Sequence, residues 1–455
     1  MVEVVFVDTF IDFARGYYEL GKGLRKLGFG VAHFTYSREC YNFYRGKGVK
    51  VVYLVDEFKC LGKVKFEDYG SYLKGFEEEY GVSINSLLSM DNDYSFVSER
   101  KALRGVIDHF RFWESYINSS KDDVVFIGGK ERLMCLVPFY VSLVKKRLSF
   151  INIGVTPLVD GGFWLNNNPF GVFDDLEKNT SNYDDVLVDD FIDNSVNSKK
   201  GSYKGIGVKP FNNYFYLLKR LFINILVEKN RNPYANIVKL VSDEFKRFFN
   251  DREEFFGLKK LSNKKYFYFP LHKFDDAQII VNNPEYYDQV SLLEFISKCL
   301  PYDYELWVKS HPNAPGSITM SDTHRLMKNK NIRLINPKLN SYDLIKGSEG
   351  VIVINSTVGL ESALLGKKPI VLGNPFYSME GITINVKNLN DMSQVIRDSV
   401  KNNKVYNEVL KSFISRYLHS CKKGHILFYK KYFNKTINEN NIKMVCETIN
   451  KKIKR

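Results

Sequence analysis

The turn Ser356-Thr357 follows an apolar stretch, VIVIN (351–355), and precedes a helix-forming segment that carries Gly359 and Glu361. Hydroxyl groups, backbone N–H groups and the helix dipole converge at such a turn, which suits it to hold a phosphate. Glu361 lies one turn into the helix, where a carboxylate can accept both hydroxyls of a ribose. The same residue types also make an ordinary helix cap. The turn therefore indicates either a nucleotide site or a cap.

Two further polar groups follow apolar stretches in the same half of the chain. His311 precedes Pro312, and the proline restricts the backbone, so this histidine can be held against a leaving phosphate. His272 ends an apolar run and is followed by Asp275 and Asp276, either of which can act as a nucleophile or a general base. The alternative for both aspartates is that they cap a helix.

Apolar runs alternate with helix-sized segments along both halves of the chain, which is typical of doubly wound parallel sheets. Because carboxyl ends of parallel strands meet at one edge, we expect the three polar groups to share a site. The pattern predicts an α/β protein with two Rossmann-like domains that face a central cleft. Strands are predicted at 2–8, 29–36, 49–55, 122–129, 149–155, 266–272, 304–311, 332–336, 351–355 and 368–373.

The predicted domain organisation has four parts. Residues 1–210 form a Rossmann-like domain with a helical insertion, and 161–173 within it is a Gly- and Asn-rich loop. The other parts are a helical connection (211–262), a second Rossmann-like domain (263–400) and C-terminal helices with a basic tail (401–455).

The amino-acid composition limits the classes of protein to which this chain can belong. The 455 residues, 44% of them hydrophobic, suit two to three domains with sizeable cores. The six cysteines are scattered without a C-x-x-C pair, which argues against a disulfide frame or a zinc site. The N-terminus lacks the features of a signal peptide, and no apolar run reaches transmembrane length. These features predict a cytoplasmic protein.

A protein with a net charge of +14 can bind three kinds of anionic partner: nucleic acid, a membrane surface or phosphorylated small molecules. Basic residues are not clustered with aromatic ones on a single segment, so we expect no nucleic-acid partner. Much of the excess lies in the C-terminal tail, which ends KKIKR. The tail predicts peripheral contact with anionic lipid.

Three groups of residues together resemble a known family. They are the H-x-x-x-D of 272–276, the His-Pro of 311–312 and the stretch S-T-x-G-x-E-x-x-x-x-G-K-x-P-I-V-x-G-x-P-F-Y of 356–377. This combination resembles the capsule polysaccharide biosynthesis proteins, which are similar to bacterial β-Kdo glycosyltransferases of the GT-B fold that use CMP-Kdo. The resemblance extends over about 266–383 and is looser over 122–172.

The resemblance implies roles for individual residues. Asp276 corresponds to the catalytic aspartate, and His311 to the histidine that contacts the CMP phosphate. Ser356, Thr357 and neighbouring residues correspond to the nucleotide-holding turn and helix. The full nucleotide-binding set is His311, Pro312, Ser356, Thr357, Gly359 and Glu361.

Several positions depart from the family pattern. His272 stands where the family has Gln, Ile153 lies near a Glu position, and Asn168 replaces an Asp. These departures bear on the acceptor and on the identity of the sugar. Asn168 is therefore an acceptor candidate, with His272 and Asp275 beside the catalytic centre. Arg15 is a further acceptor candidate because it lies just past the first predicted strand, where an acidic sugar or a phosphate can sit; the alternative is a solvated helix start.

The resemblance implies transfer of an acidic sugar, with Kdo as the leading donor, from a CMP-sugar to a saccharide or glycolipid acceptor. Sialic acid from CMP-sialic acid and a polyol phosphate from a CDP-alcohol are the alternatives. No cofactor is expected, since the CMP-sugar is the substrate, and no metal is expected either. Asp91-Asn92-Asp93 has the form of a metal-binding D-x-D but is predicted to be a turn. A further alternative is a non-catalytic nucleotide-binding component of polysaccharide assembly or export.

Overall fold

The computed structural model describes residues 2–91, 93–129, 132–170, 176, 185–197, 222–227, 242, 265–274, 276–311, 314 and 318–454. The chain divides into two compact units. Unit 1 comprises Met1–Phe170, Tyr214–Leu240 and Cys421–Arg455, and unit 2 comprises Gly171–Asn213 and Val241–Ser420. No helix within the described ranges is long and apolar enough to cross a membrane.

Unit 1 is built on a seven-stranded sheet with the strand order β13-β6-β5-β4-β1-β2-β3. Its strands are β1 (Val2–Asp8), β2 (Gly30–Thr35), β3 (Val51–Tyr53), β4 (Asp123–Gly128), β5 (Leu148–Val155), β6 (Gly162–Asn166) and β13 (Lys422–Lys423). The first five pair in parallel, whereas β6 and β13 run antiparallel to their neighbours. The apolar run VEVVFVD forms the central strand β1, which is buried on both faces as a parallel strand requires.

The helices of unit 1 cover both faces of this sheet. They are α1 (Ile11–Lys26), α2 (Arg38–Gly46), α3 (Leu54–Cys60), α4 (Tyr69–Tyr80), α5 (Ile84–Ser89), α6 (Glu99–Ser119), α7 (Leu133–Val144), α16 (Phe433–Thr436) and α17 (Glu439–Ile453). A π-helical turn spans Ile223–Val227.

Residues 421–455 complete unit 1. Strand β13 adds to the sheet edge beside β6, and α17 packs on α1. The sulfur of Cys446 lies 2.6 Å from the position that a Cβ would take at Gly23. Phe428, from the same C-terminal segment, fills the space beside Gly16. The glycines of α1 therefore provide a groove for the returning chain.

Unit 2 is built on a six-stranded, wholly parallel sheet with the order β12-β11-β10-β7-β8-β9. Its strands are β7 (Tyr266–Pro270), β8 (Glu305–Lys309), β9 (Ile332–Ile335), β10 (Gly350–Val353), β11 (Ile370–Val371) and β12 (Ile384–Asn385). Its helices are α8 (Asp185–Asn197), α9 (Ala277–Ile280), α10 (Gln289–Cys299), α11 (Met320–Met327), α12 (Ser341–Gly347), α13 (Val358–Leu364), α14 (Met392–Lys401) and α15 (Asn407–Ser420).

The predicted α/β class with two Rossmann-like domains is confirmed. Counted from its first strand, the sheet of unit 2 has the 3-2-1-4-5-6 order of dinucleotide-binding folds. The strand order reverses between the parallel neighbours β7 and β10, and ligands bind outside the carboxyl ends of such a pair. The predicted connection 211–262 lies outside the described residues, apart from 222–227 and 242.

One predicted loop is a strand. The Gly- and Asn-rich stretch 161–173 contains β6, which pairs antiparallel with β5. Phe163 and Leu165, two residues apart, are both buried in the core, and the next residues along the chain are asparagines. The prediction was wrong because the turn-forming composition hid a short period-two pattern.

We predict that Gly16→Ala lowers the stability of the protein, although alanine ordinarily favours a helix. A Cβ at Gly16 would lie 2.1 Å from the buried ring of Phe428, and overpacking of this kind costs about 1–3 kcal/mol. Gly75 in α4 is the matched control, because its Cβ would meet nothing within 4 Å. Gly75→Ala should raise the free energy of unfolding by up to about 1 kcal/mol. Urea titration of both variants checks this, and equal stabilisation by both would contradict the packing of the C-terminal segment on α1.

Candidate functional site

The structure brings the three predicted polar groups to neighbouring strand ends. His272, His311 and Asn355 each lie two residues beyond the ends of β7, β8 and β10. These strands are adjacent in the sheet, in the order β10-β7-β8, and all run the same way. The three turns therefore share one edge of unit 2, at the point where the strand order reverses.

His272 is a structural link at this edge. Its backbone N–H donates to the side-chain oxygen of Gln289 over 2.9 Å, and its carbonyl accepts from the same amide over 3.2 Å. Its ring Nε2 accepts the backbone N–H of Asn355 over 3.3 Å. The side chain is only 5% exposed. The ring thereby joins the turn after β7 to the turn after β10.

Asp276 is the N-cap of α9, and its carboxylate accepts the backbone N–H of Gln278 over 2.9 Å. The side-chain oxygen of Gln278 in turn accepts from the side-chain amide of Asn355 over 2.8 Å. The capping interpretation of Asp276 thus holds in the structure. A capping carboxylate can still take part in a reaction, because Asp276 stays partly exposed and its charge acts on His311. Asp275 lies outside the described residues.

His311 is partly buried, and burial lowers the pKa of its imidazole below the usual value. The carboxylate of Asp276 opposes this shift, whereas the ammonium groups of Lys273 and Lys309 reinforce it. The ring is therefore mainly neutral at neutral pH and offers a hydrogen-bond donor rather than a cation. Pro312 lies outside the described residues.

The turn before α13 is capped by Ser356 rather than by Thr357. The Ser356 hydroxyl accepts the backbone N–H of Val358 over 3.3 Å, and the Thr357 side chain makes no capping bond. The phenol of Tyr377 donates to the carbonyl of Ser356. A Cβ at Gly359 would lie 2.2 Å from the Tyr377 hydroxyl, so Gly359 is needed to admit that ring.

Glu361 is almost fully buried, with 2% of its surface exposed. Burial raises the pKa of Tyr268, Tyr342 and Tyr377, and the Glu361 carboxylate adds to that rise. Burial lowers the pKa of Lys309, and the same carboxylate opposes that shift. Glu361 therefore lies within electrostatic range of three phenols and one ammonium.

Sequence reasoning missed Lys309 and Lys367. Lys309 ends β8 two residues before His311, and its position next to the His-Pro pair was the available signal. The Lys367 ammonium donates to the carbonyls of Ile345, Lys346 and Ser348, at the C-terminus of α12. A cation there satisfies carbonyls that the helix leaves unpaired. The Gly366-Lys367 pair thus fixes α12 next to α13.

The two acceptor candidates lie in unit 1. Arg15 is exposed on α1. The side chain of Asn168 accepts the backbone N–H of Phe170 over 2.9 Å, which closes a local turn after β6.

The two aspartates of the D-x-D sequence, Asp91 and Asp93, bind other groups within unit 1. The carboxylate of Asp91 accepts the backbone N–H of Leu133 at the start of α7, and Asp93 pairs with Arg132 over 3.0 Å. Asn92 lies outside the described residues. In the part of the chain that the structure describes, no group of three or more His, Cys, Asp or Glu side chains is placed to hold a metal ion.

Residues 230–419 match the family model for capsule polysaccharide biosynthesis proteins. The match covers the three polar turns and confirms the resemblance inferred from the sequence for this part of the chain. Protein FixF of Sinorhizobium fredii (strain NBRC 101917 / NGR234) is 27% identical over 111 residues, which are 24% of this chain and 26% of that protein. The chain thus spans about a quarter of the length of this relative.

Solved structures with partial likeness include two transferases from Thermosulfurimonas dismutans KpsC. The beta Kdo 2,7 transferase has 17% identity and a TM-score of 0.36, covering 76% of this chain and 98% of that one. The beta Kdo 2,4 transferase has 14% identity and a TM-score of 0.37, covering 69% and 87%. The UDP-GlcNAc 2-epimerase of Methanocaldococcus jannaschii has 13% identity and a TM-score of 0.28, covering 92% and 98%.

We predict that His272→Leu destabilises the protein by about 1–3 kcal/mol, because the buried backbone N–H of Asn355 loses its acceptor. His272→Gln should cost clearly less, since an amide oxygen can take the place of Nε2. Denaturant midpoints of the two variants test this. Equal losses for Leu and Gln would show that the ring shape, not the acceptor, matters.

Proposed function

From the family resemblance confirmed over residues 230–419, we propose that this protein is a glycosyltransferase of bacterial surface or capsular polysaccharide synthesis. It moves an acidic sugar, with Kdo as the leading donor, from a CMP-sugar to a saccharide or glycolipid acceptor. The observation that carries the proposal is the meeting of three polar turns at the carboxyl ends of β10, β7 and β8. That edge is where folds of this strand order bind nucleotides.

In this proposal Asp276 is the catalytic carboxylate. Its capping bond to Gln278 holds the group at the start of α9, close enough to act electrostatically on His311. A retaining route uses Asp276 as the nucleophile on the anomeric carbon, and an inverting route uses it as the base on the acceptor hydroxyl. Asp275 and His272 flank this centre.

The nucleotide is held by the other two turns. His311 donates to the phosphate of the CMP leaving group, and the hydroxyls of Ser356 and Thr357 add further donors. Glu361 accepts the ribose hydroxyls. These donors stabilise the charge that develops on one phosphate, and the proposed reaction includes neither a metal nor a cofactor. Pro312 and Gly359 shape the two turns.

Arg15 and Asn168, both in unit 1, are the residues proposed to contact a saccharide acceptor. The basic C-terminal tail supports a cytoplasmic enzyme held peripherally on anionic lipid. Nucleic acid is not a proposed partner.

A second candidate is a nucleotide-binding component without catalysis. It is favoured by one observation: several motif residues, among them Asp276 and Gly359, have structural tasks in the turns. CMP-sialic acid and CDP-polyols remain the alternative donors within the catalytic proposal.

We predict that CMP raises the melting temperature of the protein, whereas UMP, ADP and GDP do not. A ligand that binds the folded state stabilises it by mass action, by about 2.7 kcal/mol at a hundredfold excess over Kd. Differential scanning fluorimetry of the four nucleotides measures this. If the melting temperature rises only with UMP or with a diphosphate, the proposed CMP-sugar donor is overturned. If it rises with none of the four, the proposed nucleotide site is contradicted.

We predict that Asp276→Asn reduces transfer at least about a hundredfold while leaving CMP affinity within about threefold of the wild type. Asparagine caps helices as well as aspartate does, so the fold should be retained. Asp288 is the matched control because it caps α10 through the same kind of bond, to the backbone N–H of Ser291. Full transfer by Asp276→Asn, measured as CMP release from the sugar donor, would contradict the catalytic assignment.

We predict that His311→Ala weakens CMP binding by roughly tenfold, about 1.4 kcal/mol, through loss of one phosphate donor. His324→Ala on the exposed face of α11 is the control and should bind CMP normally. Isothermal titration calorimetry gives both dissociation constants. Unchanged affinity in His311→Ala would move the phosphate away from the turn after β8.

A further inference from the structure

Gln278 connects two turns of the candidate site. It is the second residue of α9, and its backbone N–H donates to the Asp276 carboxylate over 2.9 Å. Its side-chain oxygen accepts two amide N–H groups, one from Asn282 over 2.8 Å and one from Asn355 over 2.8 Å. Its backbone carbonyl accepts another, from the side chain of Asn283 over 2.7 Å. The main chain and the side-chain oxygen of Gln278 are therefore both held by neighbouring groups.

The two bonds to the side-chain oxygen fix the orientation of the Gln278 amide. If the amide is turned over, its NH2 group meets the NH2 groups of Asn282 and Asn355, so that donors face donors. The NH2 group of Gln278 consequently points away from these two partners. Among the residues that the structure describes it has no hydrogen-bond acceptor, and it is open to solvent rather than buried.

The bond to Asn355 places this NH2 group close to the turn proposed to hold the phosphate. Asn355 directly precedes Ser356 and Thr357. Gln278 follows β7, whereas Asn355 follows β10, and the strand order reverses between these two strands. Ligands bind outside the carboxyl ends of such a pair. An amide NH2 group that is open at this point can donate to an anionic oxygen.

We propose that Gln278 is a phosphate-binding residue, whose side-chain NH2 group donates to an oxygen of the nucleotide phosphate. The inference rests on the proposed nucleotide site and adds to it a donor from the turn after β7. The backbone of the same residue holds the Asp276 carboxylate. The phosphate donor and the proposed catalytic group therefore lie on one short segment.

The first test compares two variants without a ligand. Gln278→Glu keeps an oxygen for the two amide donors and replaces only the NH2 group, so its melting temperature should stay within about 2 °C of the wild type. The scan is run in about 0.3 M NaCl, which screens the new carboxylate from Asp276. Gln278→Met removes the acceptor and should melt roughly 4 °C lower. If Gln278→Glu melts as low as Gln278→Met, the amide has the opposite orientation and the proposal is overturned.

The second test measures CMP affinity by isothermal titration calorimetry. Gln278→Glu should lose at least about tenfold in affinity, because a donor to the phosphate becomes an oxygen that repels it. Gln394→Glu makes the same change of charge at an exposed position of α14 and should stay within about twofold of the wild type. Normal CMP affinity in Gln278→Glu would show that the NH2 group does not contact the phosphate.

Cytidine, which lacks the phosphate, separates this contact from mere support of Asn355. In Gln278→Met the affinity for CMP should fall at least about fivefold, while the affinity for cytidine changes by less than about twofold. Ligand-detected NMR measures both dissociation constants. Equal losses for the two ligands would mean that Gln278 only shapes the site, and the proposed contact would be wrong.

The outcomes distinguish this inference from the proposed function. If the wild type binds CMP and Gln278→Glu binds it equally well, the phosphate contact is overturned and the proposed function stands. If none of the four nucleotides raises the melting temperature of the wild type, the proposed nucleotide site is contradicted, and the phosphate contact falls with it.

Discussion

The reversal of strand order between β7 and β10 is the constraint on which the site depends. The two strands are hydrogen-bonded neighbours, yet the chain leaves them toward different sides of the sheet. Their carboxyl ends therefore open a crevice whose backbone groups are not covered by a crossing connection. Buried polar groups at that edge need partners within the protein, and His272 and Asn355 are both buried. His272 meets this need by accepting the N–H of Asn355 across the two strand ends.

The polar residues at this edge form a continuous network rather than separate contacts. Gln289 clamps the main chain of His272, and Gln278 connects Asp276 to Asn355. Such a network fixes the turns before any ligand arrives, so a nucleotide would meet preorganised donors. The residues of the family motif therefore have two kinds of role. Some are proposed to contact a ligand, whereas others, such as Gly359, shape the turn that holds the contacting residues.

The sequence alone was sufficient to predict the parts of the fold that depend on the local pattern of apolar and polar residues. Continuous apolar runs placed the central strands β1, β7, β8 and β10 to within a few residues, because buried parallel strands require them. Strand β6 was missed because its composition is that of a loop. The three polar turns were found because each follows such a strand.

The roles of individual site residues depended on long-range contacts and could not be read from local pattern. Lys309 meets Leu339 and Ser341 some thirty residues later, and nothing in WVKSHP indicates those partners. His272 has the residue type of a catalytic neighbour, yet its ring is used as a buried acceptor. Residue type and spacing thus located the site, whereas burial and partners assigned the roles.

The docking of the C-terminal segment on unit 1 has a consequence for biosynthesis. The sheet of unit 1 ends at β6 until β13 is made, and α1 keeps an apolar groove until Phe428 and α17 arrive. All of unit 2 is translated in between. At ordinary rates of elongation the ribosome needs on the order of tens of seconds for that stretch. Throughout this interval the nascent chain presents an open strand edge and an unfilled groove, the surfaces that chaperones recognise and that promote aggregation.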